Sequence, residues 1–317
     1  MALGFILLGL LGSASASAPL GWKTGVVQHR FHSTKNGQLH YVTRGEVSLP
    51  GTLVYFHSHP RSSTEFKHIL PELGNENFLA IDYFGMGMSD DFAGSSEDDF
   101  CTFELYAQYA LEILNKHRVG SFVPAGWLKG FNAAIELAAL AGQRRVHKVV
   151  LMGALILSPA NMQFIQNMLI PMTKNPKLEA NGSHLLNVWA DGSGTDPEFP
   201  ADLLINQDKT NDALRSLYTN WQYQAAWVAY NNKTAERLNF VDSFAESLII
   251  HPTLALKKWA TFNLDVNFSL SELDKALTHG KNSTHLLEAT EGMLGQNVSA
   301  VASLLKDFLG LHETIRV

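Results

Sequence analysis

Val123-Pro124-Ala125-Gly126-Trp127-Leu128-Lys129-Gly130 is the stretch on which the fold turns. An apolar run leads in, two glycines stand four residues apart, and a small-residue run follows, Phe131 to Leu140. That pattern is a buried strand, a sharp turn and a helix, with the middle residue of the turn lifted to the top of a sheet. The middle residue is Leu128, and its side chain can neither attack a substrate nor carry a proton. A true turn of this kind is strained by roughly 1–3 kcal/mol. Leucine gains no chemistry from that strain, so the expectation is that the turn keeps its path and relaxes in φ and ψ.

Working outward, the residues around Lys35-Asn36-Gly37 alternate on both sides, which reads as a β-hairpin with an Asn-Gly turn. Gly51–Phe56 and Asn77–Asp82 are continuous apolar runs suited to buried parallel strands, with a helical segment expected from Thr64 to Leu73 between them. Phe100–Lys116 has helical spacing of its apolar residues, and Val146–Leu155 is a further buried strand. Strand and helix alternate again from Leu248, ending in a strand at Thr284–Ala289 and a helix at Val298–Leu309. The fold class is therefore α/β: a mainly parallel sheet with a leading hairpin and helices on both faces. Residues 156–240 show helical pieces and no convincing strand, which reads as a helical cap inserted into a core formed by 17–155 and 241–317.

Three sequence signatures end successive buried strands. His57-Ser58-His59-Pro60 ends the first, Asp82-x-x-Gly85-x-Gly87-x-Ser89 the second, and Gly126-Trp127-Leu128-Lys129-Gly130 the third, with the cap after the fourth. This combination resembles the α/β-hydrolase superfamily, in particular its capped branch of epoxide hydrolases, haloalkane dehalogenases and related esterases. The resemblance implies an H-G-x-P loop, a D-x-x-G-x-G-x-S loop and a nucleophile elbow. It makes Asp82, Gly85, Gly87, Ser89, Gly126 and Gly130 structural. It places the nucleophile at Leu128, the acid near Thr261, Asn263 or Asp265, the catalytic histidine at Gly292 or Met293, and the oxyanion hole at the amides of His59 and Lys129. His57, Ser58, Trp127 and Leu128 would line the pocket, with Met86 and Met88 adding to a greasy floor. His285 is expected at the beginning of its strand, on the wrong end of the sheet. His57 and His59 could share a metal as i, i+2 neighbours, but no third ligand stands at a motif spacing, so neither metal nor cofactor is assigned.

Composition narrows the class. Of 317 residues 46% are hydrophobic and 17% charged, with a formal net charge of −6. That is a globular chain without the basic face of a nucleic-acid binder. Phe5–Leu11 is a short apolar run followed by small residues, which reads as a signal peptide over 1–16, too short to span a membrane. Five sequons, at Asn181, Asn232, Asn267, Asn282 and Asn297, are expected glycosylation sites in a chain bound for secretion or an endomembrane lumen. Cys101, the sole cysteine, leaves no intrachain disulfide and reads as a buried small residue. The functional expectation is a hydrolase-fold protein without nucleophile or histidine that binds a small apolar ligand or a protein partner. The alternative is an active ester or epoxide hydrolase with a relocated catalytic group.

Overall fold

The structure is a computed structural model that describes residues 27–74, 77–184, 203–261, 265–289, 294 and 297–311. The signal-peptide segment and the Gly292 and Met293 positions lie outside the described residues.

Eight strands form one sheet in the order β1-β2-β4-β3-β5-β6-β7-β8. β1 (Gln28–Thr34) and β2 (Gly37–Arg44) are the hairpin, closed with Thr34 opposite Gly37. β2 also pairs antiparallel with β4 (Phe78–Ile81), and every later pairing is parallel. β3 (Thr52–Phe56) and β5 (Phe122–Trp127) are fully buried, as continuous apolar runs require. β6 (Lys148–Met152), β7 (Glu246–Pro252) and β8 (Asn282–Leu287) complete the sheet.

Alternation along the strands divides the core into two apolar clusters, one on each face. Val54 and Phe56 belong to one, with α1 (Phe103–Lys116) and α2 (Gly130–Ala141) packed on them. Leu53 and Tyr55 belong to the other, covered by Phe66–Leu73 and by the final helix. Burying both faces demands two helical layers, and the sequence supplies them. α1 starts where the Thr102 side chain accepts the Leu105 N–H at 3.2 Å, an N-cap.

Between β6 and β7 the regular elements among the described residues are helical: α3 (Pro159–Phe164), a π-turn (Ile165–Leu169), α4 (Ile170–Lys174), α5 (Leu203–Arg215) and the long α6 (Asn220–Asp242). α6 serves both layers. Its first turns stand over the elbow, while Tyr230, Thr234 and Arg237 reach Glu136 and Asn132 of α2. After β7 come α7 (Thr253–Thr261) and α8 (Val266–Ala276), and after β8 comes α9 (Val298–Leu309).

Two expectations are corrected. The segment Thr64–Leu73 is not a helix: a 3₁₀ turn over Ser63–Phe66 gives way to further turns. Pro71 removes an N–H donor and biases Leu70 away from helical dihedrals, so the segment cannot propagate. His285 does not begin its strand. It pairs with Ile250, which pairs with Met152, which pairs with Trp127, so it lies level with the end of β5 on the edge strand.

Candidate functional site

The elbow keeps its path and does not relax. Leu128 has φ +48°, in the left-handed region. Backbone packing imposes this. A Cβ on Gly126 would stand 2.4 Å from the Phe131 backbone, and one on Gly130 would stand 2.4 Å from the Phe56 carbonyl oxygen. Strand and helix therefore approach closer than any other residue permits. The Leu128 N–H donates to the Met152 carbonyl at 2.8 Å, and its own carbonyl accepts the Phe131 N–H at 3.1 Å. With both sides clamped, the residue between them takes a left-handed turn whatever its chemistry.

The two residues whose amides the resemblance assigns to an oxyanion hole come together through their side chains. Lys129 Nζ lies 3.3 Å from His59 Nδ1, donates to Gln224 Oε1 at 2.9 Å and sits 4.7 Å above the Trp227 ring. Gln224 and Trp227 belong to α6, so Lys129 ties the turn after β5 to that helix. An ammonium beside Nδ1 leaves that nitrogen to accept and puts the imidazole proton on Nε2, which is shut off from solvent. Burial first, and then the Lys129 charge, push the His59 imidazole well below its ordinary pKa, so it is neutral.

His57 is committed to structure. Its Nε2 accepts the Tyr83 N–H at 2.9 Å and its Nδ1 donates to the Ser58 carbonyl at 2.5 Å. Ser58 gives its N–H and Oγ–H to Glu65, at 2.8 and 2.7 Å. His57, Ser58 and Trp127 are all buried, and of the four expected pocket residues only Leu128 is partly exposed. Met86 is buried, but Met88 is 57% exposed and forms no floor. The space above His57 is occupied by Tyr223 of α6, which donates to the His57 carbonyl at 3.0 Å and stacks 5.6 Å from His59.

The Asp82 loop is bound tightly into the fold. Asp82 Oδ1 accepts the Ser63 N–H at 2.6 Å, and Oδ2 accepts the Met88 N–H at 3.0 Å and the His40 ring at 2.7 Å. Burial opposes the charge, but these bonds win and hold the carboxyl below its usual range. Ser89 Oγ donates to the Asp82 carbonyl at 2.9 Å. Gly87, at φ +52°, passes so near that a Cβ there would stand 2.0 Å from Asp82 Oδ2, while Gly85 makes room for Thr219.

Asp265, the candidate acid, is the N-cap of α8: Oδ1 accepts the Phe268 N–H at 2.9 Å. Cys101 is buried, and burial pushes its thiol up, so it is unreactive. Among the described residues no group of three His, Cys, Asp or Glu side chains could hold a metal ion. No helix among them is long and apolar enough to cross a membrane.

Two features escape sequence reasoning. His251, at the end of β7, is buried; burial drives its imidazole down to about 4, and its Nδ1 has no hydrogen-bond partner among the described residues. A histidine closing an apolar run was the available signal. The second is a buried charge cluster. Arg61 Nε lies 3.3 Å from Asp212 of α5, out of line for a hydrogen bond, and 4.0 Å from Glu65. Glu65 also accepts the Tyr55 hydroxyl at 3.0 Å, and Thr64 donates to Asp212 at 3.3 Å. No sequence spacing joins residues 61 and 212.

No family model and no curated protein sequence matches the chain. Solved structures do. The esterase RhEst1 from Rhodococcus sp. ECU1013 superposes with a TM-score of 0.65 at 19% identity, over 90% of this chain and 98% of that one. The epoxide hydrolase CorEH gives 0.63 at 13% identity, over 90% and 99%. The enol-lactonase from Burkholderia xenovorans LB400 gives 0.63 at 16%, over 89% and 100%. At such identities the likeness is one of architecture. Together with the strand order and the clamped turn after β5, it establishes that this chain has the α/β-hydrolase fold.

Proposed function

We propose that the chain is a secreted α/β-hydrolase-fold protein without covalent catalysis, which binds a small apolar ligand at the boundary between elbow and cap. The observation that carries this reading is Leu128. The elbow exists to present a nucleophile, its strained turn is retained, and the presented side chain is a hydrocarbon. Leu128, His59 and Lys129 are the partly exposed members of the site, so a ligand there meets an alkyl surface beside one ammonium. Fold alone would not assign a reaction, because chemistry resides in the site. The test is hydrolysis of short acyl esters and epoxides by purified protein. The expected rate equals that of a heat-killed control, and Leu128→Ser alone leaves it there. A rate well above control overturns the reading. Mass spectrometry of natively purified protein then identifies what is bound, a protein partner being the other outcome.

A second reading, an active hydrolase with a relocated base, is favoured by one observation, the neutral imidazole of His59 at a partly exposed position. On that reading activity is present and His59→Gln abolishes it.

The secretory route is part of the proposal. Asn181, Asn232 and Asn267 are exposed, as glycan acceptors must be in the folded protein, while Asn282 and Asn297 are half-buried. Expression through a eukaryotic secretory pathway should give a chain lacking residues 1–16 whose mass falls on glycosidase treatment. Retention of Met1 together with no mass change would refute it.

A further inference from the structure

A cavity of about 320 Å³ lies at the other end of the sheet, at the amino ends of the parallel strands. The chain after β3 passes here as a run of turns. The gap runs between that segment, at Leu70 and Leu73, and the last turn of α9, at Leu309. Leu53, Phe78 and Val123 make its floor, all side chains of the buried apolar cluster on that face.

Its rim is cationic. Arg145, His147 and Lys148 line it, with Asn77 and Ser121. Among the described residues, the two fixed charges are met by neutral groups. Arg145 donates to the carbonyls of Gly120 at 3.2 Å and Val119 at 2.6 Å and to Asn115 Oδ1 at 2.8 Å, three of its five N–H donors. Lys148 donates to the Phe308 carbonyl and lies 5.1 Å above the Phe308 ring. Two cations at the mouth of an apolar cavity select a molecule with one anionic end and a hydrocarbon body. A neutral chain would leave the charges unanswered, and a small anion would leave the floor uncovered.

We propose that this cavity binds a fatty carboxylate, alkyl chain on Leu53 and Phe78, carboxylate between Arg145 and Lys148. The site is separate from the elbow and independent of the reading given to it. The test is calorimetric titration of the full chain with dodecanoate, below its micelle concentration. One molecule is expected to bind, weakening as salt is raised, and dodecanol is expected to bind about tenfold or more weakly. Lys148→Met should weaken dodecanoate by about fivefold to tenfold, while Lys148→Arg keeps the charge and most of the affinity. Ser121→Trp, at a partly exposed rim position, should block the mouth and abolish binding without entering the core. The proposal is overturned if no binding occurs, if dodecanol binds as well as dodecanoate, or if Ser121→Trp and Lys148→Met both bind like the parent. It is also overturned if binding appears only after removal of residues 312–317, since the cavity would then belong to the chain's own C-terminus.

Discussion

Leu128 separates strain imposed by a fold from strain used by a reaction. Its left-handed φ is held on a hydrocarbon residue, because two glycine contacts and two backbone hydrogen bonds hold the turn from either side. This gives a comparison free of the packing term. Leu128→Ala and Leu128→Gly remove nearly the same contacts with Gly153 and the two apolar clusters. Alanine keeps the left-handed penalty and glycine does not. At an ordinary position glycine is the less stable of the two by about 0.5–1 kcal/mol, through its unfolded-state entropy. Here Leu128→Gly should be the more stable by about 1 kcal/mol, once the left-handed penalty of roughly 1–2 kcal/mol is set against that entropy. Urea titration measures it, and a Gly variant weaker than the Ala variant by roughly the ordinary 0.5–1 kcal/mol would mean the turn carries no strain.

α5 is held to the core by charge. Asp208, Asp212 and Arg215 follow at spacings of four and three, one face of a helix. They meet Lys67 and His68, then Arg61 and Thr64, then Asp91 with the Ser89 carbonyl. The middle contact is unbalanced, because two carboxylates, Glu65 and Asp212, share the guanidinium of Arg61. Removing the cation should therefore be far worse than removing one acid. Arg61→Met leaves the buried Glu65 carboxylate without its cation and drives Asp212 to its neutral form, and should cost about 3 kcal/mol or more. Asp212→Asn leaves Arg61 with Glu65 and should cost less than about 1 kcal/mol at neutral pH. Equal losses in chemical denaturation would show that Asp212, not Glu65, balances Arg61. This cluster also marks where the sequence stops being legible. β3, β5 and α9 could be read because runs, caps and glycine spacings are local. The turns after Ser63 were misread as a helix, which Pro71 does not let propagate. Tyr223, Gln224 and Asp212 were invisible as site residues. Helical periodicity reports which face is buried, and it does not report which residue some hundred and fifty positions away that face meets.

Across the whole molecule, buried groups of opposite sign shape the dependence of stability on pH. His251 is depressed to about 4 by burial, only partly offset by Asp274. His57 and His59 are lowered by burial as well. A histidine with a depressed folded pKa favours folding fully above its unfolded value of about 6.5, and that contribution is lost as pH falls toward the folded value. For His251 the loss is roughly 3 kcal/mol between pH 6.5 and 4. Asp212 runs the other way. Burial raises it to about 7, with Asp82 and Glu65 adding to the rise and Arg61 and Ser62 opposing it. An acid with a raised folded pKa favours folding fully below its unfolded value, and the contribution is lost as pH rises to about 7, a change of roughly 4 kcal/mol. The two slopes oppose each other across the same window. The parent should therefore show only a modest rise in stability from pH 4 to 6.5, tipped upward by His57 and His59. Asp212→Asn removes the falling component and should make that rise steep, by at least about 3 kcal/mol over the window. His251→Leu removes a rising component and should flatten the curve or reverse it. Denaturant midpoints taken at half-unit pH intervals decide the matter: two variants with curves parallel to the parent would mean that neither group changes its protonation on folding.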